Sequence, residues 1–165
     1  MTRTMEEKEI RTDRMRYVKN AASSRLCYLA ILLNVLYFIS IYKSDVGSWY
    51  YQILVGGSIV YNLLFMLMVF LASEGVKNYK TSYSWLMLGL GAFQLIRIFI
   101  LPLQAHAASV KVSGAEIRVM GDGQFIRVIV YLAASAACLF AGALLNLKKS
   151  RTLAAHIASL PGRQA

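Results

Sequence analysis

Residues 85–103 read WLMLGLGAFQLIRIFILPL, a run that is apolar except for Gln94 and Arg97. A helix rises about 1.5 Å per residue, and about 20 predominantly apolar residues cross some 30 Å of hydrocarbon. The run is therefore long enough to span a bilayer, and Pro102 marks its exit. Three further runs have the same character. Leu26 to Tyr42 is uncharged and ends at Lys43. Between Asp45 and Glu74 there is no charge, and Ile53 to Ala72 is the apolar heart of that stretch. Val128 to Leu147 is uncharged and stops at Lys148 and Lys149.

Composition agrees with this reading. Charged residues make up 16% of the 165 and hydrophobic residues 58%, whereas a soluble domain carries about 25% charged residues. The expectation is an all-α polytopic membrane protein, a four-helix transmembrane bundle with spans of about 26–42, 53–72, 85–103 and 128–147. Around them lie an N-terminal tail (1–24), a transmembrane domain (25–147) with one sizeable loop (104–124), and a basic C-terminal tail (148–165). The preface to the first span carries Glu6, Glu7, Glu9 and Asp13 and no small-residue cleavage site follows it, so that span is expected to be retained.

The formal net charge of +10 fits membrane topology better than nucleic acid, because no stretch is long enough to fold as a basic soluble module. Thirteen Lys and Arg lie in the two tails, at Arg25 just before the first span, and in the connection holding Lys77 and Lys80. Four lie on the other side, at Lys43, Lys111, Arg118 and Arg127. The positive-inside rule then puts both termini in the cytoplasm of a cell (plasma or inner) membrane. Tyr42, Trp49, Tyr50 and Tyr51 on one side, and Tyr79, Tyr83 and Trp85 on the other, suit the headgroup level.

The N-terminal tail pairs Glu7 with Arg11 at helical spacing. Ile10, Tyr17, Val18 and Ala21 form a weak apolar stripe along one helix. It reads either as an interfacial helix on anionic lipid or a cytosolic partner, or as a solvated tail that sets orientation. In the 104–124 loop, alternation on either side of Ser113-Gly114 predicts a short β-hairpin, and Gly121 and Gly123 a turn into the last span. His106 and His156 are each isolated, so no metal site is expected. Cys27 and Cys138 both lie in apolar runs and read as packing thiols.

One constellation of polar residues lies inside the spans. Asn34, Asn62 and Gln94 occupy three different spans near mid-depth, and Arg97 follows Gln94 by one helical turn on the same face. Ser58 shares a face with Asn62, and Tyr37 with Asn34. Amides at that depth seek partners across helix interfaces. Arg97 is the harder case, because a central arginine marks a functional hypothesis by default and no Asp or Glu occurs within the four runs. It can snorkel to the headgroups, meet a carboxylate of another subunit, or meet an anionic ligand beside Asn34, Asn62 and Gln94.

The fourth span carries small residues on two adjacent stripes, Ala133, Ala137, Ala141 and Ala134, Cys138, Gly142. Small residues at this spacing let helices approach closely in lipid, and two stripes favour contact with another subunit. No residue set suggests catalysis. The acids lie outside the spans, Ser58 and Ser135 have no base at hand, and a CxxC pair is absent. The sequence therefore predicts a non-enzymatic membrane protein without cofactor. Its expected partners are the lipid bilayer and a membrane protein or a second copy, in an accessory or scaffolding role within a transport or export complex. The alternatives are a homo-oligomeric transporter or channel for an anionic solute using Arg97, and a small membrane sensor.

Overall fold

The computed structural model of the chain describes residues 2–41, 49–112 and 115–160. Tyr42, Lys43, Asp45, Ser113, Gly114 and Arg163 lie outside the described residues, as do the side chains of Trp49, Tyr50, Tyr51 and Lys111. In chain order the elements are α1 (Thr2–Arg14), α2 (Ala21–Ile41), α3 (Trp49–Lys77), α4 (Thr81–Ile100), α5 (Pro102–Ala107), β1 (Ser109–Val112), β2 (Ala115–Arg118) and α6 (Asp122–Ser159). Among the described residues, four helical stretches are long and apolar enough to cross a membrane: Ala21–Ile41, Gly56–Lys77, Thr81–Ala107 and Asp122–Ser159. The chain is a multi-pass helical membrane protein.

The first span is more generous than its uncharged run suggests. Helix α2 begins at Ala21, so its 21 residues give about 31 Å of rise. In the added turn Ser23 and Ser24 are buried inside the bundle and Arg25 is exposed. The Asn20 backbone N–H just before it is bonded to the Lys77 carbonyl at 2.9 Å. Helix α1 stops at Arg14 and residues 15–20 form a turn and an extended entry into α2. That break corrects the expected stripe of Ile10, Tyr17, Val18 and Ala21, which do not share one helix.

Helix α6 is the centre of the bundle. It packs most extensively on α2 and α4, while α3 leans chiefly on α2. Its inward face is Val128, Leu132, Ser135, Ala136, Leu139, Gly142, Ala143 and Asn146, spaced by three and four residues as a single helical face requires. The sequence placed six small residues of this span on two adjacent stripes. Of those six residues Gly142 is buried, Ala134 and Cys138 are half-buried, and Ala133, Ala137 and Ala141 face outward. Leu132 and Leu139 are fully buried, and small residues let the helices touch. A Cβ on Gly142 would lie 2.7 Å from the Met87 methyl, the mark of such a contact. Cys27, also buried, sits 3.7 Å from the Met87 sulfur.

At one end of the bundle Pro102 opens α5, where its missing N–H costs nothing. The expected hairpin follows, with Ser109 opposite Arg118 and Val112 opposite Ala115 in antiparallel register. His106 stacks on Phe125 with ring centroids 4.1 Å apart. The Gln124 side chain donates to the Ser40 carbonyl at 2.7 Å.

At the other end α6 does not stop at Lys148. It runs 38 residues to Ser159, about 57 Å and well beyond a bilayer core. What composition separates as a tail is thus a continuation of the last span, because nothing in residues 148–159 breaks a helix. Helix α1 packs on that extension, with Asp13 3.5 Å from His156. The Arg16 guanidinium beside Asp13 holds its carboxyl below the usual range, with His156 adding to the effect.

The α3–α4 turn is tight. Tyr79 has a positive φ of 56°, a left-handed conformation that β-carbon-bearing residues rarely adopt. A Cβ on Gly75 would fall 2.1 Å from the Tyr83 ring. Gly75→Ala is expected to cost about 1–3 kcal/mol through overpacking. The measurement is unfolding in mixed detergent micelles, and Tyr83→Ala in the same chain should recover part of the loss.

Candidate functional site

Helix α4 presents Gln94 and Arg97 one turn apart, both buried. Opposite them α2 supplies Asn34 and Tyr37, α3 supplies Ser58, Tyr61 and Asn62, and α6 supplies Ser135. The four residues singled out in the sequence meet in one layer, on the hairpin side of the bundle's middle.

The bonding runs as a continuous network. Asn34 Nδ2 donates to Asn62 Oδ1 at 3.0 Å. Gln94 Nε2 donates to Asn34 Oδ1 at 3.1 Å and to Ser135 Oγ at 3.3 Å. Ser135 Oγ in turn donates to the Ala30 carbonyl at 3.1 Å. Asn62 Nδ2 closes on its own helix at the Ser58 carbonyl, 2.7 Å away. All four spans are thereby joined by side chains. Ser135, a small residue of the fourth span, is one of the links.

Arg97 lies at the heart of the layer. One terminal nitrogen donates to Asn62 Oδ1 at 2.9 Å and Asn34 Oδ1 at 3.3 Å, and the other to Ser58 Oγ at 3.1 Å. Its guanidinium carbon lies 4.2 Å from the centroid of the Tyr37 ring and 4.7 Å from that of Tyr61. A desolvated guanidinium over an aromatic face gains about 2 kcal/mol. Arg97 is 6% exposed, so its head points into the bundle and does not snorkel to the headgroups. The partners a buried guanidinium requires are met, at least in these three oxygens and two rings, from within the chain. Chemically the group can hold charge and fix geometry. It cannot cycle a proton, because a guanidinium stays charged at any working pH.

Tyr37 and Tyr61 were not singled out as a pair from sequence. The signal was present, since Tyr37 follows Asn34, and Tyr61 precedes Asn62, but two rings facing one cation cannot be read from separate helices.

A second polar layer, at the end of the bundle carrying the chain termini, went unread in the sequence. Asn146 Nδ2 donates to Ser84 Oγ at 2.7 Å and to the Lys80 carbonyl at 3.2 Å. Its Oδ1 accepts from Asn20 Nδ2 at 2.9 Å, and Asn20 also bonds Ser23 and Lys149, at 2.9 and 3.0 Å. Ser150 Oγ donates to the Tyr79 carbonyl at 2.6 Å. This layer clamps the entry to α2, the α3–α4 turn and α6. Asn146 is a polar break just before Lys148, the only hint the sequence offers.

Comparison with known proteins finds no matching family model, no matching curated relative and no matching solved structure.

The two layers predict an asymmetry. Asn62→Leu leaves the Arg97 charge short of an acceptor and should cost about 1.5–3 kcal/mol, the worth of a hydrogen bond to a charged group. Arg97→Met leaves Asn34, Asn62 and Gln94 bonded to one another and should cost less. Unfolding of both single variants and the double variant closes a double-mutant cycle, in which a coupling of at least about 0.5 kcal/mol is expected. At the other layer, Asn146→Leu strands donors and acceptors on α2 and the α3–α4 turn. It should destabilise by about 1–3 kcal/mol.

Proposed function

We propose that this chain is a non-enzymatic accessory or scaffolding subunit of a larger membrane complex. In this reading it sits in a cell (plasma or inner) membrane with both termini cytoplasmic. The observation that carries it is the division of labour on α6. One face of that helix packs the bundle, while Ala133, Ala137 and Ala141 look outward at the spacing that helices in lipid use for close approach. Small side chains there serve no packing need of this chain, since a lipid-facing position accepts Leu or Ile as readily. The inward bonding of both polar layers supports the same role, because a cross-linked bundle is a rigid platform for a partner helix. The distribution of Lys and Arg supports the orientation, thirteen on the side of the termini against four on the other.

The partner is a transmembrane helix of another protein, one of a transport or export system. A homo-oligomeric carrier of an anionic solute is the alternative, and it would draw on Arg97.

Native purification in mild detergent tests the proposal. A membrane protein should co-purify with the wild-type chain and be lost from Ala137→Phe, while the variant's own unfolding midpoint stays unchanged. A chain that is monodisperse by itself, or a homo-oligomer that moves an anion into liposomes and fails on Arg97→Gln, would overturn it. A reporter fused to either terminus should read as cytoplasmic.

A further inference from the structure

At the end of the bundle carrying α1 and the far part of α6, the turn after α1 folds back against the α3–α4 turn and the extension of α6. The three segments enclose a cleft of about 460 Å³, whose lining includes Arg16, Tyr17, Lys19, Lys77, Leu153 and Ile157. The Tyr79 hydroxyl donates to the Val18 carbonyl at 3.1 Å and holds the turn in place.

We propose that this cleft is a binding site for the phosphate headgroup of an anionic phospholipid. Depth is the first argument. Lys77 is the last residue of α3 and of its membrane-spanning stretch, so the floor of the cleft lies where hydrocarbon gives way to headgroups. Leu153 lies one and a half turns past the end of the apolar run of α6, about 9 Å further along. The cleft thus occupies the layer in which phosphates sit.

Charge is the second argument. Three cations line the cleft, and two of them carry acids of their own. Arg16 pairs with Asp13 at 3.1 Å and Lys77 pairs with Glu74. Lys19 is exposed, and no hydrogen bond or ion pair joins its ammonium to another described residue. Its charge also acts on Glu74, so three cations stand against the two carboxylates Asp13 and Glu74, leaving the site net positive with ion pairs that can share their donors with a phosphate. Lys80, Lys149 and Arg151 are exposed or half-buried at the same end and extend the positive field.

Apolar exposure is the third. Tyr17 is 80% exposed and Val18 53% exposed, directly beside the cations. In water such side chains are a liability; at a bilayer surface an aromatic and a branched aliphatic next to lysine form an interfacial anchor. An acidic cytosolic peptide would match the charge. It would leave Tyr17 and Val18 without the apolar environment that the lipid surface supplies.

Native mass spectrometry of the full chain, released from vesicles containing phosphatidylglycerol and phosphatidylcholine in equal amounts, is the test. Phosphatidylglycerol should be retained at least about tenfold over phosphatidylcholine, and Lys19→Gln should weaken that preference roughly fivefold, the weight of one cation near an anionic surface. Lys8→Gln, on the far part of α1, should leave it unchanged. Equal retention of the two lipids would overturn the proposal. So would equal loss from Lys8→Gln and Lys19→Gln, which would mark a diffuse field. Displacement of the lipid by millimolar inorganic phosphate would identify a soluble anion site. The readout is independent of the accessory role, since lipid retention needs no partner subunit.

Discussion

A guanidinium in hydrocarbon has to be given hydrogen-bond acceptors, and that requirement organises this protein. Arg97 reaches Asn34, Asn62 and Ser58, and the rings of Tyr37 and Tyr61 face its charge. Each of those contacts fixes where α2 and α3 must lie relative to α4. Gln94, one turn away, extends the same network to Ser135 and so to α6. Helices in lipid have no hydrophobic force pressing them together, so directional bonds of this kind decide which faces meet. A mean of ~0.6 kcal/mol per interhelical bond is small, and the value of the layer lies in excluding other arrangements.

The layer is one of two. Nearer the termini, Asn146 and Asn20 tie together the three segments that converge there. Between the two layers the bundle is filled by apolar side chains such as Cys27, Phe65, Met87 and Leu139. Two polar clamps, one near mid-depth and one at the α1 end, hold the bundle together on either side of that apolar core. A bundle held this way suits the proposed role, with an outer helix face for a partner and a basic cleft for lipid. Both roles use outer parts of the molecule and leave the interior undisturbed.

Much of the candidate site was legible beforehand. Asn34, Asn62, Gln94 and Arg97 stand out because polar groups are expensive in a bilayer and the rest of each run is so uniformly apolar. Ser135 and Asn146 did not stand out, since a serine or asparagine among small residues, or near a run's end, has an ordinary alternative explanation. The outward orientation of Ala133, Ala137 and Ala141 was hidden for a related reason. Small residues announce close approach, but on a helix with two candidate stripes their spacing does not say which neighbour uses them.

By itself, the sequence determined the number of spans, their approximate bounds, the hairpin between the last two, and the identity of the costly polar groups. These follow from local physics: chain length against bilayer thickness, alternation around a turn, and the cost of charge in hydrocarbon. Tertiary structure alone decided the rest. It turned Arg97 inward and placed two tyrosine rings against it. It packed α1 on the far part of α6 and set Ala133, Ala137 and Ala141 on the outside. Each of these depends on which faces of separate helices meet. That is settled by the combined fit of side chains from four spans, and no single run contains it.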